Sequence, residues 1–241
     1  MNVLLAILFF LVAALYAAVG QGGGSGYLAA MGLVGLPPPA MKPTALVLNV
    51  LVAGIGTWKY YRAGHFAPRL FWPFAVTSIP FAFLGGRLVL PGGAYQRLVG
   101  LILLYAALRL GRRGDEKTPA RRRLPLVWPL LAGAVIGFLS GLVGVGGGIF
   151  LGPLLLLAGW ATTRTTMSIT AAFVLVNSAA GLIGYVTTAA AFPPALGWWL
   201  LVAAAGGWLG AEVGSRRLDP GVLHRLLALV LIVGGLRMLL G

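Results

Sequence analysis

Two glycine clusters interrupt apolar stretches of the chain, and they hold the residues best suited to binding chemistry. The members are Gln21, Gly22, Gly23, Gly24 and Ser25 in the first cluster and Gly146, Gly147 and Gly148 in the second. Glycines inside an apolar helix break it and release backbone amide groups that lipid cannot satisfy. The helix after such a break begins with free N–H groups and the positive end of its dipole, which attract an anion. The clusters therefore predict an anion site.

Close helix packing is the alternative interpretation of these glycines. Gly144, Gly148 and Gly152 recur every four residues, as in small-xxx-small contacts between membrane helices. Gly22 and Gly26 have the same spacing. A dinucleotide-binding loop is not indicated, because no βαβ unit surrounds the glycines.

Two asparagines lie within apolar segments at comparable places in the two halves of the chain. Asn49 and Asn177 are 128 residues apart, and an Asn in an apolar helix is costly unless it is paired. Residues seven apart share a helical face, so Lys42 accompanies Asn49 and Thr170 accompanies Asn177. Each face is either a close helix contact locked by an amide hydrogen bond or the wall of a polar pathway.

Hydroxyl side chains surround Arg164 in residues 162–168, which read TTRTTMS. This pattern is typical of an interfacial helix start, because Ser and Thr cap helices and Arg favours the cytoplasmic edge. The alternative is a vestibule that attracts anions and then hydrogen-bonds them. On that interpretation Lys42 and Arg164 attract the anion at opposite mouths of a pathway.

The elements that position these residues are predicted to be membrane helices. Of the 241 residues, 59% are hydrophobic and only 9% are charged. Several apolar runs reach or approach the roughly 20 residues that cross a bilayer as a helix. The composition therefore predicts an all-α, polytopic integral membrane protein.

The two halves of the chain resemble each other. The glycine trio at residues 22–24 lies 124 positions before the trio at residues 146–148. A single helix over residues 3–36 would be about 51 Å long, longer than a bilayer core, so it must break. We therefore expect about five membrane segments in each half, with glycine-broken helices. The odd number turns the second half upside down, which makes the halves inverted-topology repeats.

The charge distribution supports this division of the chain. The expected parts are a first membrane repeat over residues 1–111, a basic cytoplasmic linker over residues 112–124 and a second repeat over residues 125–241. With the linker in the cytoplasm, the turns that hold Lys59, Arg69, Arg164 and Arg216 also come out cytoplasmic. The uncharged turn at residues 189–195 comes out external.

Charge and composition also argue against several function classes. Eighteen Lys and Arg against four acids give a net charge of +14, which we attribute to loops facing anionic lipid. No nucleic-acid partner is predicted, because no binding module accompanies the basic residues. There is no cysteine, and no nucleophile, base and acid converge in the apolar segments. No enzyme activity, metal or cofactor is therefore predicted.

Glu212 is the one carboxylate in or beside a predicted membrane helix. Three interpretations stay open: a surface salt bridge with Arg216, a pair with Arg87 between the halves, and a proton-carrying role.

Three stretches carry a resemblance to a known family. They are GLVGVGGGIFLGPLLLL at residues 141–157, its fainter copy VGQGGGSGYLAAMGL at residues 19–33, and TTMSITAAFVLVNS at residues 165–178. In these stretches, and over nearly its whole length, the chain resembles the sulfite exporter TauE/SafE family of membrane transporters. The resemblance implies two related halves in the cytoplasmic membrane and a small sulfur-containing or organic anion as substrate.

These observations together predict a membrane transporter of small anions, with sulfite, a sulfonate or a similar sulfur compound as the expected substrate. Transport would use alternating access, with one half rocking against the other around a midplane site. A passive anion channel and a non-transporting membrane scaffold are the alternatives. The sequence leaves open the substrate's identity, the direction of transport, the coupling ion and the oligomeric state.

Overall fold

The computed structural model describes residues 2–111, 125–188, 192–216, 231–233 and 235–240. Regular secondary structure within these ranges is helical, which confirms the all-α prediction there. The helices are α1 (Asn2–Ala18), α2 (Gly24–Val34), α3 (Pro38–Arg62), α4 (Pro68–Arg87), α5 (Gly92–Gly111), α6 (Val127–Val143), α7 (Gly148–Leu157), α8 (Thr163–Val186) and α9 (Leu196–Arg216). Residues 231–233 and 235–240 are also helical. The expected linker at residues 112–124 lies outside the described residues.

Local sequence signals set the ends of these helices. Gly23 and Gly147, with φ of 98° and 84°, directly precede α2 and α7, and glycine adopts such angles without a steric penalty. Prolines open α3 and α4, where the missing N–H group costs nothing. The Thr162 hydroxyl accepts a hydrogen bond from the Thr165 amide at the start of α8. The predicted helix start in this hydroxyl-rich stretch is thus confirmed.

Within the described residues, three helices are long and apolar enough to cross a membrane, judged by length and composition: Pro38–Arg62, Thr163–Val186 and Leu196–Gly214. By contrast, α2 and α7 have only 11 and 10 residues. At 1.5 Å per residue each is about half as long as a hydrocarbon core is thick.

The order of helix lengths recurs along the chain. The first four helices have 17, 11, 25 and 20 residues, and α6 to α9 have 17, 10, 24 and 21. The glycine clusters fall at the same place in both series, between the first and second helix. The recurrence gives the internal similarity of the sequence a counterpart in secondary structure.

Helices from the two halves of the chain are interleaved. The most extensive contacts join α4 to α6 and α1 to α9, followed by α4 with α8, α3 with α8 and α3 with α9. The correspondence of α1 to α4 with α6 to α9, in that order, is kept by these contacts. When each helix is replaced by its counterpart, each of the five contacts becomes another of the five or stays the same. Each contact also joins the first half to the second, so the halves are not separate bodies.

Glycines of the second half permit the closest of these contacts. They face backbone carbonyl groups of α4 and α1, and they are Gly133, Gly137 and Gly141 on α6 and Gly206, Gly210 and Gly214 on α9. A methyl group added at any of them would overlap those carbonyl groups. Both series have the four-residue spacing that lets helix backbones approach. Small-xxx-small packing is therefore present on α6 and α9, and the glycines predicted to pack closely, Gly22, Gly26 and Gly148, also have neighbours that an added methyl group would overlap.

Candidate anion site at the junction of the glycine loops

The two glycine loops lie against each other in the interior of the protein. They are residues 19–23, between α1 and α2, and residues 144–147, between α6 and α7. A methyl group added at Gly24 would overlap the Val145 carbonyl oxygen and lie 2.6 Å from Asn49 Nδ2. One added at Gly22 would lie 2.5 Å from Val174 Cγ1. The junction is hereafter the two loops together with Asn49 of α3 and Val174 of α8.

The N-termini of two short helices converge on this junction. Helix α2 begins at Gly24 and α7 begins at Gly148, and neither has a side-chain cap. The first N–H groups of a helix have no partner within it. Gly24 touches the second loop, and a methyl group at Gly148 would lie 2.7 Å from Val174 Cγ2. Both helices thus direct amide donors and the positive end of a dipole toward one buried region.

Each glycine loop is held by a side chain from the other half of the chain. On α3, Asn49 Nδ2 donates a hydrogen bond to the Gly144 carbonyl oxygen at 3.2 Å. On α8, the Thr170 hydroxyl lies 3.0 Å from the Gly20 carbonyl oxygen and shares its single proton with the Thr166 and Met167 carbonyl oxygens of its own helix, at 2.8 and 3.1 Å. Gly20 and Gly144 are 124 residues apart, the same spacing as the glycine trios. The two loops are therefore held at equivalent carbonyl groups.

Asn177 behaves differently from Asn49. Its Nδ2 donates to the Phe173 carbonyl oxygen of its own helix at 2.8 Å, not to a glycine loop. The starts of α3 and α8 are 125 residues apart, and this register makes Val174 the counterpart of Asn49. Asn177 lies three residues further along, about 4.5 Å of helical rise. It is nevertheless fully buried.

Several buried polar atoms in this part of the protein have no hydrogen-bond partner among the described residues. They are Gln21 Oε1, Tyr27 Oη, Asn49 Oδ1, Asn177 Oδ1 and Ser178 Oγ. Ser178 Oγ would lie 3.0 Å from a methyl group at Gly146, and Tyr27 Oη would lie 2.9 Å from one at Gly23. Buried polar groups are normally hydrogen-bonded, so these atoms are available to water or a ligand.

Tyr27 and Ser178 are the residues that the sequence prediction missed. Both are fully buried. The sequence did not single them out, because their neighbours in the chain, the first glycine cluster and Asn177, are stronger candidates for binding. Ser25, which was predicted as a site residue, shares a 2.8 Å hydrogen bond with the Tyr16 hydroxyl. That bond joins the first turn of α2 to α1, so the Ser25 side chain helps to fix the direction of α2.

The two predicted mouth cations have different surroundings. Lys42 is buried, and its Nζ donates to the carbonyl oxygens of Gly85, Gly86 and Leu88 at 3.2, 2.8 and 2.9 Å. These carbonyl groups end α4, where a cation is favourable. Lys42 therefore has a structural task at a helix end. Arg164 is exposed on the first turn of α8.

Glu212 pairs with a residue that the sequence did not suggest. Its carboxylate contacts Lys59 Nζ, which links α9 to α3 and thus the second half to the first. The Lys59 ammonium also lies 4.0 Å from the centre of the Trp208 ring, a cation–π distance. The side chain of Arg216 lies outside the described part of the structure.

In the described ranges, no three His, Asp or Glu side chains lie close enough together to hold a metal ion. The polar groups of the junction are amides, hydroxyls and backbone N–H groups. Such groups bind ligands by hydrogen bonding.

Relatives of the chain define its class, that of membrane transporters. "Probable membrane transporter protein y4hK" of Sinorhizobium fredii is 45% identical over 239 residues, 98% of this chain and 97% of that protein. "Probable membrane transporter protein ORF9" of a Sinorhizobium species is 30% identical over 222 residues, 88% of this chain and 82% of that protein. "Probable membrane transporter protein MJ0441" of Methanocaldococcus jannaschii is 30% identical over 115 residues, 46% and 43% of the two chains. No solved structure gives a significant match.

A family model identifies the family to which the chain belongs. The model of the sulfite exporter TauE/SafE family matches residues 5–238, almost the entire chain. The chain belongs to this family, which confirms the resemblance carried by the glycine and asparagine stretches.

Proposed function

We propose that this chain moves small anions across the cytoplasmic membrane by alternating access at the junction. Sulfur-containing anions such as sulfite or a sulfonate are the proposed substrates, because the family is named for sulfite export. The observation that carries the proposal is the convergence of two uncapped helix N-termini on one buried junction. Two such ends supply donors and positive potential inside an otherwise apolar protein.

The proposed substrate-binding residues surround these helix ends. They are Gln21, Gly22, Gly23, Gly24, Ser25, Asn49, Gly146, Gly147, Gly148, Thr170 and Asn177, to which the free hydroxyls add Tyr27 and Ser178. Arg164 is the proposed cation that attracts the anion at one mouth, because it is exposed. Lys42 is left out of that role because three carbonyl groups of α4 already surround its ammonium.

The proposed architecture is a pair of inverted repeats over residues 1–111 and 125–241, joined by a cytoplasmic linker. Three observations support it: the recurrence of helix lengths, the exchange of helix contacts within one set, and the equivalent ties on the two loops. In this proposed arrangement the junction would lie midway between the two repeats.

The moving bodies are better described by packing than by chain order. Rocking of one chain half against the other would break all five extensive helix contacts. Separation of an α1/α3/α9 bundle from an α4/α6/α8 bundle breaks only the α3–α8 contact among them. That contact is also looser than the others, because methyl groups at Gly54 and Gly56 would meet α8 at ordinary distances of 3.8 and 3.7 Å. We propose that access alternates by motion between these two bundles, which also opens the junction at Asn49.

A flux screen in reconstituted liposomes tests the proposed function. Sulfite, methanesulfonate, thiosulfate and a carboxylate are offered in turn, and saturable uptake of at least one sulfur anion is expected. Asn49→Ala should abolish this uptake. Thr77→Val is the matched control, because it also removes a hydrogen bond between helices, at 2.7 Å to the Leu130 carbonyl oxygen, but away from the junction.

A scaffold in which the glycines serve packing alone is the second candidate, and the close contacts at Gly22, Gly24 and Gly146 favour it. A scaffold predicts no flux of any anion and no thermal shift on adding one. Flux that rises linearly with concentration, without saturation, would instead indicate the passive channel. Either result would overturn the transporter proposal.

A further inference from the structure

We propose that the junction selects an anion that itself donates a hydrogen bond, such as hydrogensulfite, and that Asn49 Oδ1 accepts that bond. The proposal rests on the proposed function and narrows its substrate class. It separates oxyanions that keep an O–H group from those that have none, such as simple sulfonates.

The orientation of the Asn49 amide is fixed by its surroundings. Nδ2 donates to the Gly144 carbonyl oxygen at 3.2 Å. Turning the amide over would bring two carbonyl oxygens together, so the hydrogen bond assigns nitrogen and oxygen. The oxygen then faces the first glycine loop, where a methyl group at Gly22 would lie 3.0 Å from it.

This oxygen is an acceptor without a donor. Asn49 is fully buried, and its Oδ1 has no hydrogen-bond partner among the described residues. Asn177 Oδ1 and Gln21 Oε1 are in the same state. The donors in this region are the helix N-termini and the hydroxyl groups of Tyr27 and Ser178. The region therefore offers both kinds of partner, so a ligand that satisfies both must present acceptors as well as a donor, and the positive ends of α2 and α7 favour one that is negatively charged.

Two other ligand types fit less well. A fully deprotonated anion would place lone pairs against the amide oxygen, and like partial charges repel. A bare metal cation would face the positive ends of α2 and α7, which disfavour it. An anion with an O–H group avoids both penalties.

The test compares two anions that differ in one group. Hydrogensulfite, the main form of sulfite in mildly acidic buffer, carries a hydroxyl where methanesulfinate carries a methyl group, at the same net charge. Purified full-length protein in liposomes should transport hydrogensulfite at least about tenfold faster, because sites built to bond a substrate hydroxyl reject analogues that lack it. Asn49→Leu, similar in volume but without the oxygen, should reduce this ratio to about one.

Thr77→Val is again the control, and it should keep the wild-type ratio whatever it does to the absolute rate. A merely structural role of Asn49 would slow both anions equally in Asn49→Leu and leave the ratio unchanged, which would overturn the proposal. If Asn49→Leu does not fold, the wild type still tests the proposal, because equal transport rates for the two anions would overturn it. A sodium requirement in the wild type that Asn49→Leu removes would assign the oxygen to a cation instead and overturn the proposal. Absence of flux for both anions would contradict the proposed function itself.

Discussion

A pair of engineered disulfides can show which parts of the protein move during transport. The chain has no cysteine, so no native thiol has to be removed. The first pair, Gly56→Cys with Ala171→Cys, joins α3 to α8 across the two proposed bundles, where the Cβ atoms would be 3.7 Å apart. The second, Val52→Cys with Gly207→Cys, joins α3 to α9 within one bundle, at 3.5 Å. Both distances suit a disulfide, whose Cβ atoms lie about 3.5–4.5 Å apart.

The structure gives the size of the expected restriction. A disulfide at Gly56 and Ala171 would hold the Cβ atoms within about 4.5 Å, so α3 and α8 could separate there by less than about 1 Å. Admission of an oxyanion between these helices requires a larger opening, because polar atoms in contact already lie about 3 Å apart. Oxidised Gly56→Cys/Ala171→Cys protein should therefore lose flux in proportion to the cross-linked fraction. Oxidised Val52→Cys/Gly207→Cys protein should keep it.

The assay is anion uptake into liposomes before oxidation, after oxidation and after reduction, with the cross-linked fraction measured by gel mobility after proteolysis in the linker. Both pairs join the first half of the chain to the second. Rocking of chain halves would therefore make both disulfides inhibitory, and that result would refute the bundle description. Undiminished flux in fully cross-linked Gly56→Cys/Ala171→Cys protein would refute opening between α3 and α8.

Four single substitutions test other parts of the structure. Gly24→Ala should lower the free energy of unfolding by about 1–3 kcal/mol through overlap with Val145, seen as a lower unfolding temperature by tryptophan fluorescence. Gly56→Ala, with no neighbour closer than 3.7 Å, should be neutral or slightly stabilising, and equal behaviour of the two would contradict the steric argument. Lys42→Met should lower the free energy of unfolding by about 1.5–3 kcal/mol, because the charged donor at the end of α4 is lost. The KM for the anion should stay unchanged. Arg164→Gln should raise that KM most at low ionic strength without changing the unfolding temperature, and a salt-independent effect would contradict attraction at a mouth.

Local signals made part of this fold readable from the sequence. Glycine clusters in apolar runs predicted helix breaks, and α2 and α7 do begin at Gly24 and Gly148. Hydroxyl residues before α8 predicted its start, and Thr162 caps it. These features depend on a few neighbouring residues, whose conformational preferences act wherever the chain packs.

Features that depend on packing could not be read in the same way. The acceptors of Lys42 belong to the end of α4, more than forty residues away in the chain. The residues next to Lys42 in the sequence therefore do not reveal that its ammonium is buried against carbonyl groups. Glu212 similarly finds Lys59 on α3. The sequence also could not show that α1 packs on α9 and α4 on α6, because apolar helices of similar composition carry little information about their neighbours.

The two asparagines show why a sequence repeat and a structural repeat can differ by almost a turn. Asn49 and Asn177 align at a spacing of 128 residues. The loop contacts follow a shorter spacing, because Gly144 packs on Lys42 and Gly20 packs on Met167. The two glycines are 124 residues apart, and the two side-chain positions are 125 residues apart. In that register Asn49 corresponds to Val174, so the junction has an amide on one side and an isopropyl group on the other. One loop is consequently held by Asn49 and the other by Thr170. On the proposed inverted-repeat architecture, these unequal walls would bind an asymmetric ligand in one orientation, which a perfectly symmetric site could not do.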